Sequence, residues 1–529
     1  MKSFDVAIAG FGPVGAVLAN LLGQCGMRVL VVEQATEAFD KPRAIGLDHE
    51  SIRVFQSLGL AEDFMKNTRV YPGGVYLGVD GDPIKRFDPS PPPYALGWPP
   101  NVTFVQPELE ALLRSGVARF PNVDVRLGHR LLDFQQTESG TTLHVQRAAG
   151  GAPIQFSAQY LIACDGANGL VRQRLGIPVE DQAFDEWWVV VDMLQRRESR
   201  LPEVSTQYCW PSRPATYVFG PGNLRRWELK LLPGETPDMF RDPARVLKAL
   251  APYVDTDAFD LWRSAVYRFH ALVAHRWRVG RVFLAGDAAH QTPPFLGQGL
   301  GAGIRDVANL AWKLALVQKG SPDALLDTYE TERKPHVTEL ISRAKEFGLE
   351  IGMLDTAKAL QRDAQLREAL AKTHGVTLRQ RYVPQLSCGV IDTEDSGGHA
   401  GSLFLQPRVM TPDGIECLID DAVGPGFLFV TDGLEPQSWF DADALDWWLE
   451  LGGRRLALVQ QPAPNSSGIL ELCETLTLLR EWMRVAGAKA MLVRPDRYVY
   501  GIAGNPAVLK RQLRQIALQV RLTKEEAIQ

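Results

Sequence analysis

Phe4-Asp5-Val6-Ala7-Ile8-Ala9-Gly10-Phe11-Gly12-Pro13-Val14-Gly15 runs from an apolar strand into a glycine turn. Ala16 to Gly26 then has helical composition, and Arg28-Val29-Leu30-Val31-Val32-Glu33 is a second apolar strand. Together they read as one βαβ unit. Each glycine has a reason. Gly10 permits the tight turn, Gly12 lets backbone approach a pyrophosphate, and Gly15 lets helix and strand pack closely. The helix N-terminus supplies N–H donors and partial positive charge for the phosphates. Glu33, ending the second strand, can accept hydrogen bonds from an adenosine ribose and disfavours a 2′-phosphate. The unit predicts a dinucleotide site and leaves FAD and NAD both open.

Outward from this unit the texture changes several times. Residues 70–100 are rich in proline and glycine, including Pro91-Pro92-Pro93 and Pro99-Pro100, which favours loops or edge strands. Short strands alternate over 123–165, and 185–235 is again strand-like and aromatic. A helix is expected near Leu300–Val317, and 323–380 is mostly helical. Apolar strands at Gly426–Val430, Arg455–Val459 and Ala490–Val493, with a terminal helix, predict a separate small α/β unit. No internal repeats are seen.

Two later segments repeat the theme of an acid and glycines at a strand end. One is Cys164-Asp165-Gly166-Ala167-Asn168-Gly169 with Arg172. The other, Gly286-Asp287-Ala288-Ala289-His290, runs through Pro293-Pro294 into Gly297-Gln298-Gly299-Leu300-Gly301-Ala302-Gly303. Either alone is compatible with an ordinary turn. In this order, with the N-terminal glycine motif, they resemble the group A flavoprotein aromatic hydroxylases, the class of p-hydroxybenzoate and phenol hydroxylases. The likeness extends over roughly residues 4–345 and decides for FAD. Pro42-Arg43-Ala44-Ile45-Gly46, Gly97-Trp98-Pro99, Leu232-Pro233-Gly234-Glu235-Thr236 and Asn309–Val317 look like the 3-(3-hydroxyphenyl)propionate hydroxylases within that class.

The resemblance implies an α/β chain: a Rossmann-like FAD-binding domain, an inserted β-rich substrate domain and a C-terminal thioredoxin-like domain. The FAD-binding part is expected at 1–72, 101–180 and 268–345, and the substrate domain at 73–100 and 181–267. A helical connector is expected at 346–395 and the C-terminal domain at 396–529. It also implies that Asp287 holds the ribityl chain of FAD and that Asp165 and Gly166 help position flavin and nicotinamide. Arg43, Gln106 and Pro294 match positions that touch the cofactor. Physics adds a reason for the glycine loop. Backbone N–H groups of Gly297, Gly299, Leu300 and Gly301, at a helix start, can face the flavin pyrimidine edge and stabilise negative charge there.

The implied reaction is hydroxylation of a phenolic ring with NADH or NADPH and O₂, on a small phenolic acid such as 3-(3-hydroxyphenyl)propionate, giving a catechol. A tailoring hydroxylase of a larger polycyclic aromatic, or a non-catalytic flavin-binding sensor, are the competing readings. Phenol hydroxylases carry a polar residue where this chain has Ile45. Candidate bases are therefore Asp48 and His49 just downstream, and Tyr267 and His270 before the Gly-Asp strand. Each also has an ordinary structural reading. His290 is expected to orient its turn, Trp187 and Trp188 to line a pocket or fill core, and Arg213 or Arg225 to meet a substrate carboxylate.

Bulk properties bound the alternatives. The 529 residues carry a net charge of -5, are 22% charged, and hold no basic stripe for nucleic acid. No apolar run is long enough to span a bilayer, and no signal peptide is recognised. Six scattered cysteines show neither C-x-x-C nor metal-ligand spacing, so no metal is expected and a reducing cytoplasm fits best. A homodimer is a possible assembly, with the C-terminal unit as its interface or as a structural support.

Overall fold

The computed structural model describes residues 2–373, 383–395, 397–433, 439–463 and 468–520. Its first sheet is built on the opening motif. Ser3–Ala9 lies between Ile154–Ala163 and Val29–Val32, all parallel, with Val123–Arg126 beyond Val29–Val32 and Val282–Leu284 beyond Ile154–Ala163. Residues 6–9, Val29–Val32, 160–163 and Val282–Leu284 are continuous buried apolar runs because both faces of the sheet centre are covered. The register aligns Ala9 with Ala163 and Ala163 with Leu284. Gly10, Cys164-Asp165 and Gly286-Asp287 therefore emerge side by side at the carboxyl ends of adjacent strands, where open α/β sheets bind ligands.

A second eight-stranded sheet stands against that edge, in the order His290–Gln291, Phe259–Ala274, Val179–Gln195, Leu224–Lys230, Ala215–Phe219, Ser205–Tyr208, Gly74–Leu77, Pro83–Phe87. Two of its strands are long, at 17 and 16 residues. Its strands alternate in the way a two-faced sheet requires. Trp227, Leu229, Val189, Val191 and Tyr217 point into a core capped by the Pro243–Leu250 helix. The opposite face turns toward the glycine loops.

The C-terminal sheet places Arg454–Leu458 parallel to Leu428–Asp432, which is antiparallel to Ala490–Val493, itself antiparallel to Val499–Ala503. With helices Ala442–Glu450 and Pro506–Val520, this is a thioredoxin-like arrangement. Between it and the first sheet, helices Asp327–Ile351 and Thr356–Lys372 precede a non-helical stretch over 383–395. The expected connector at 346–395 is thus helical only in its first part, with 374–382 outside the described residues. The proline-rich 88–100 segment forms no strand before Asn101–Thr103. Among the described residues no helix is long and apolar enough to cross a membrane.

Candidate active site

The opening glycines divide their work as the sequence implies. Gly10 sits at φ +99°, and a Cβ there would lie 2.3 Å from the Cys164 carbonyl oxygen. A Cβ on Gly15 would lie 2.2 Å from the Gly10 oxygen, whereas one on Gly12 would meet nothing within 4 Å. Gly10 and Gly15 are therefore packing glycines, while Gly12 borders open space. Gly12 is also the N-cap of the Pro13–Gln24 helix and makes no side-chain cap hydrogen bond. The helix start is thus left without a side-chain cap, as a pyrophosphate site requires. Glu33 does more than end its strand: it accepts from Phe11 N–H at 2.7 Å and from Ala35 N–H at 2.8 Å, so it also shapes the glycine turn.

A second helix start also lacks a side-chain cap. Gln298 caps Gly299–Gln318 without a side-chain bond to its backbone. Gly297 is left-handed at φ +61°, and the nearest atom to a Cβ on Gly299 would be Thr292 Cβ, at 4.0 Å. Asp287, Pro294, Gly297, Gly299 and Leu300 all line one cavity of about 330 Å³. Gly301 does not line it; a Cβ there would approach Arg305 and Asp48 instead. Asp287 is held at the cavity edge from behind. The Asp306 carboxylate accepts from Gly286 N–H at 3.1 Å and pairs with His290 Nε2 at 2.7 Å, while Arg333 donates to its other oxygen at 3.0 Å. His290 in turn stacks on Trp277.

Gln106 works through the chain rather than from the cavity wall. Its Oε1 accepts from Arg43 N–H at 3.0 Å and Ala44 N–H at 2.6 Å, and its Nε2 donates to Glu110 at 2.7 Å. The loop carrying Arg43, which does line the cavity, is thereby latched to the Gln106–Val117 helix. Asp165 lies at the neighbouring strand end, where its carboxylate accepts from Val171 N–H at 3.1 Å, and burial raises its carboxyl above the usual aspartate value. Gly166 beside it is left-handed, at φ +84°.

The far wall of the cavity is the polar face of the second sheet. Val190, Glu228, Thr216, Gln207 and Tyr76 form a cross-strand row, joined by the pairings Val190–Glu228, Glu228–Thr216, Thr216–Gln207 and Gln207–Tyr76. Arg226, Val218 and Ser205 lie one step along, and Tyr267 and Phe269 close the side. Thr216 donates to Gln207 Oε1 at 2.5 Å. Ile45 and Phe295 supply apolar surface next to the loop of residues 297–299.

Of the four candidate bases, Tyr267 alone lines this cavity, with Arg263 donating to its hydroxyl oxygen. Asp48 caps the His49–Ser57 helix, accepting from Ser51 N–H at 3.0 Å, and is paired with Arg305. Burial alone would raise its carboxyl, but Arg305, His49 and the Ser51 N–H hold it below the ordinary value. His49 is off the cavity too; desolvation pushes its imidazole down to about 4 despite Asp48 and Glu50. His270 faces Asp185 at 3.9 Å, away from the site. Arg213 is spent on Glu235, at 2.8 Å, and Arg225 donates to the carbonyls of Gly222 and Leu224. Trp188 is fully buried against Phe269 and Phe295, while Trp187 lies half-exposed outside. Glu228, Arg226, Gln207 and Thr216 were not anticipated. The signal for Arg226 and Glu228 is Arg226-Trp227-Glu228-Leu229-Lys230, a strict alternation that puts charge on one face of a buried strand.

Comparison with known proteins agrees with this geometry. Residues 3–344 match the FAD binding domain family and residues 401–519 the HcaD C-terminal domain. The 3-(3-hydroxy-phenyl)propionate/3-hydroxycinnamic acid hydroxylase of Escherichia coli (strain K12) is 36% identical over 543 residues, covering 99% of this chain and 96% of that protein. A protein of the same name from Shigella sonnei (strain Ss046) is 35% identical over the same shares. Among solved structures, the flavin-dependent monooxygenase PieE with FAD and substrate aligns with a TM-score of 0.80 at 21% identity, covering 98% of this chain and 99% of that one. Aklavinone-11 hydroxylase with FAD and aklavinone aligns with a TM-score of 0.76 at 24% identity, over the same shares. At these identities the two structures speak for the fold alone.

Proposed function

The chain belongs to the FAD-dependent aromatic hydroxylases, and from that premise we propose that it converts a small phenolic acid of the 3-(3-hydroxyphenyl)propionate type to a catechol. The observation that carries the substrate class is the full-length likeness to a 3-(3-hydroxy-phenyl)propionate/3-hydroxycinnamic acid hydroxylase, 36% identical over 99% of this chain. The cavity of about 330 Å³, with a polar sheet face opposite the glycine loop, is where such a ring would meet the cofactor.

Bound FAD, reduced by NADH or NADPH, supplies the activation of dioxygen. The protein's contribution is placement. Asp287 and the N–H groups at Gly297 and Gly299 are suited to hold the isoalloxazine end, and Gly12 with its helix the pyrophosphate. Ile45, Phe269, Phe295 and Leu296 keep water from the ring, while Thr216, Gln207 and Tyr267 offer hydrogen bonds that orient its hydroxyl. The six cysteines are free thiols, in keeping with a cytoplasmic setting.

A panel of hydroxyphenyl acids and polycyclic phenols, screened for stimulated NADH and NADPH oxidation with product identified, tests the reading. The small meta-hydroxylated acids are expected to give catechols. Hydroxylation confined to the polycycles would overturn the substrate assignment, and purified protein unable to take up FAD would overturn the whole reading.

A further inference from the structure

Among the described residues, one carboxyl on the cavity wall has no hydrogen-bond or ion-pair partner. Glu228 sits at the centre of the cross-strand row, flanked by Val190 and Thr216, and is 8% exposed. The neighbouring cations are committed elsewhere. Arg226, on the same strand, gives its guanidinium to Asp192 at 2.7 and 3.1 Å and to the carbonyls of Arg43 and Pro42 at 2.7 and 3.2 Å. Arg263, from the Phe259–Ala274 strand, donates to Pro42 O and the Tyr267 oxygen and lies 3.8 Å from Asp192. Lys230 is taken by Glu186 at 2.6 Å and Gly352 O at 2.7 Å. Among the described residues none forms a hydrogen bond or ion pair with the Glu228 carboxyl, while both Glu228 and Tyr267 open on the cavity.

A carboxyl buried without a partner is costly unless its partner arrives with the ligand. Phenol activation needs a proton acceptor in this place, because Ile45, which also lines the cavity, offers none. We infer that Glu228 is the catalytic base that takes the proton from the phenolic hydroxyl of the substrate as the ring is oxygenated. The inference rests on the reading above that a phenol occupies this cavity. In the step, the phenol O–H bond breaks and a new O–H bond forms on a Glu228 carboxyl oxygen. The electron pair left on the phenol oxygen is delivered into the ring, and nothing is oxidised or reduced by the transfer itself. The surroundings tune the base in a useful direction. Desolvation raises the carboxyl above the ordinary glutamate value, Arg226 draws it back, and Asp192 pushes it further up. A carboxyl moved toward neutrality is a better match to a proton transfer near pH 7. Tyr267, fixed by Arg263, and Thr216 with Gln207 flank the same hydroxyl as orienting groups.

The test compares wild type and Glu228→Gln, both loaded with FAD, on two probes. One is 3-(3-hydroxyphenyl)propionate; the other is a ring-fluorinated analogue whose hydroxyl is already ionised at the assay pH. Affinity is read from the change in flavin absorbance on titration. With the parent acid, Glu228→Gln is expected to bind close to wild type yet lose about 100-fold in the hydroxylation step, the low end of what a general base contributes. The acid limb of the pH profile is expected to vanish. With the fluorinated acid most of that loss is expected to disappear, since no proton remains to be taken. An equal loss on both probes, or none on either, overturns the assignment. Glu228→Asp, which keeps the carboxyl but withdraws it by one methylene, is expected to show the same contrast at smaller amplitude. It serves in place of the glutamine variant if that one does not fold. Failure of wild type to hydroxylate either probe overturns the reading beneath the inference, and the inference with it.

Discussion

Arg226 and Asp192 face each other across adjacent strands with Nε and Oδ1 2.7 Å apart, both almost completely shielded from water. The pair aims the guanidinium, which lines the cavity, at the Pro42 and Arg43 carbonyls, so one residue of the second sheet holds the loop that carries Arg43. Arg226→Met leaves Asp192 with a buried charge facing only Arg263, at 3.8 Å. It is expected to cost about 3–5 kcal/mol in urea unfolding. The double change Arg226→Met with Asp192→Leu is expected to recover much of that loss; no recovery would show that the pair does not act as a unit.

The opening glycines separate folding from ligand binding. Gly10→Ala places a Cβ against the Cys164 carbonyl at a left-handed backbone position, and is expected to yield unstable or insoluble protein. Gly12→Ala meets no atom of the chain. It is expected to melt like wild type as apoprotein yet bind FAD much more weakly. Melting curves with and without FAD read both effects, and a matching loss in the two apoproteins would contradict the division.

Asp287→Ala removes the exposed carboxylate at the cavity edge but leaves its turn anchored by Asp306, His290 and Arg333. The expected result is a folded protein with FAD affinity reduced by about 1.5–3 kcal/mol, the usual worth of a charged hydrogen bond. Fluorescence titration with free FAD measures it; unchanged affinity would remove Asp287 from the cofactor site.

Glu332 is buried and meets Lys313 at 3.0 Å and Arg494 at 2.7 Å. Burial alone would raise its carboxyl, but these two cations, with the Val390 N–H, hold it down at about 2. A folded value below the unfolded one means stability present above about pH 4.5 and lost as pH falls from there toward 2. The contribution is on the order of 3 kcal/mol. Acid unfolding followed by circular dichroism should show Glu332→Gln less stable at neutral pH and with a flatter acid slope. A slope identical to wild type would contradict the linkage.

The βαβ glycine turn was legible because its signals are local. A glycine turn, the acid that ends a strand and the helix that follows lie within thirty residues of each other, and each glycine answers a short-range steric demand. The substrate half was not, because it is written in register. Glu228 meets Thr216 and Val190 only through the pairing of three strands. The Asp48 that sequence proximity to Ile45 suggested as a base is claimed by Arg305, 257 residues away. Gln106 was placed at the cofactor by resemblance, and its latch on the Arg43 loop emerges only in three dimensions.

The contacts between the two ends of the chain bear on modularity. Tyr498 donates to Glu50 at 2.6 Å, Arg53 reaches Asp420 at 2.7 Å, and Arg494 and Asp496 close over Glu332, Lys313 and Asn309. A chimera that exchanges the thioredoxin-like domain at a loop near residue 400 would inherit Arg53 without Asp420, and the Glu332–Lys313 pair without Arg494 and Asp496. The boundary that looks like a joint on the backbone is, in its charges, an interior. Designs that graft this catalytic scaffold should carry both domains together.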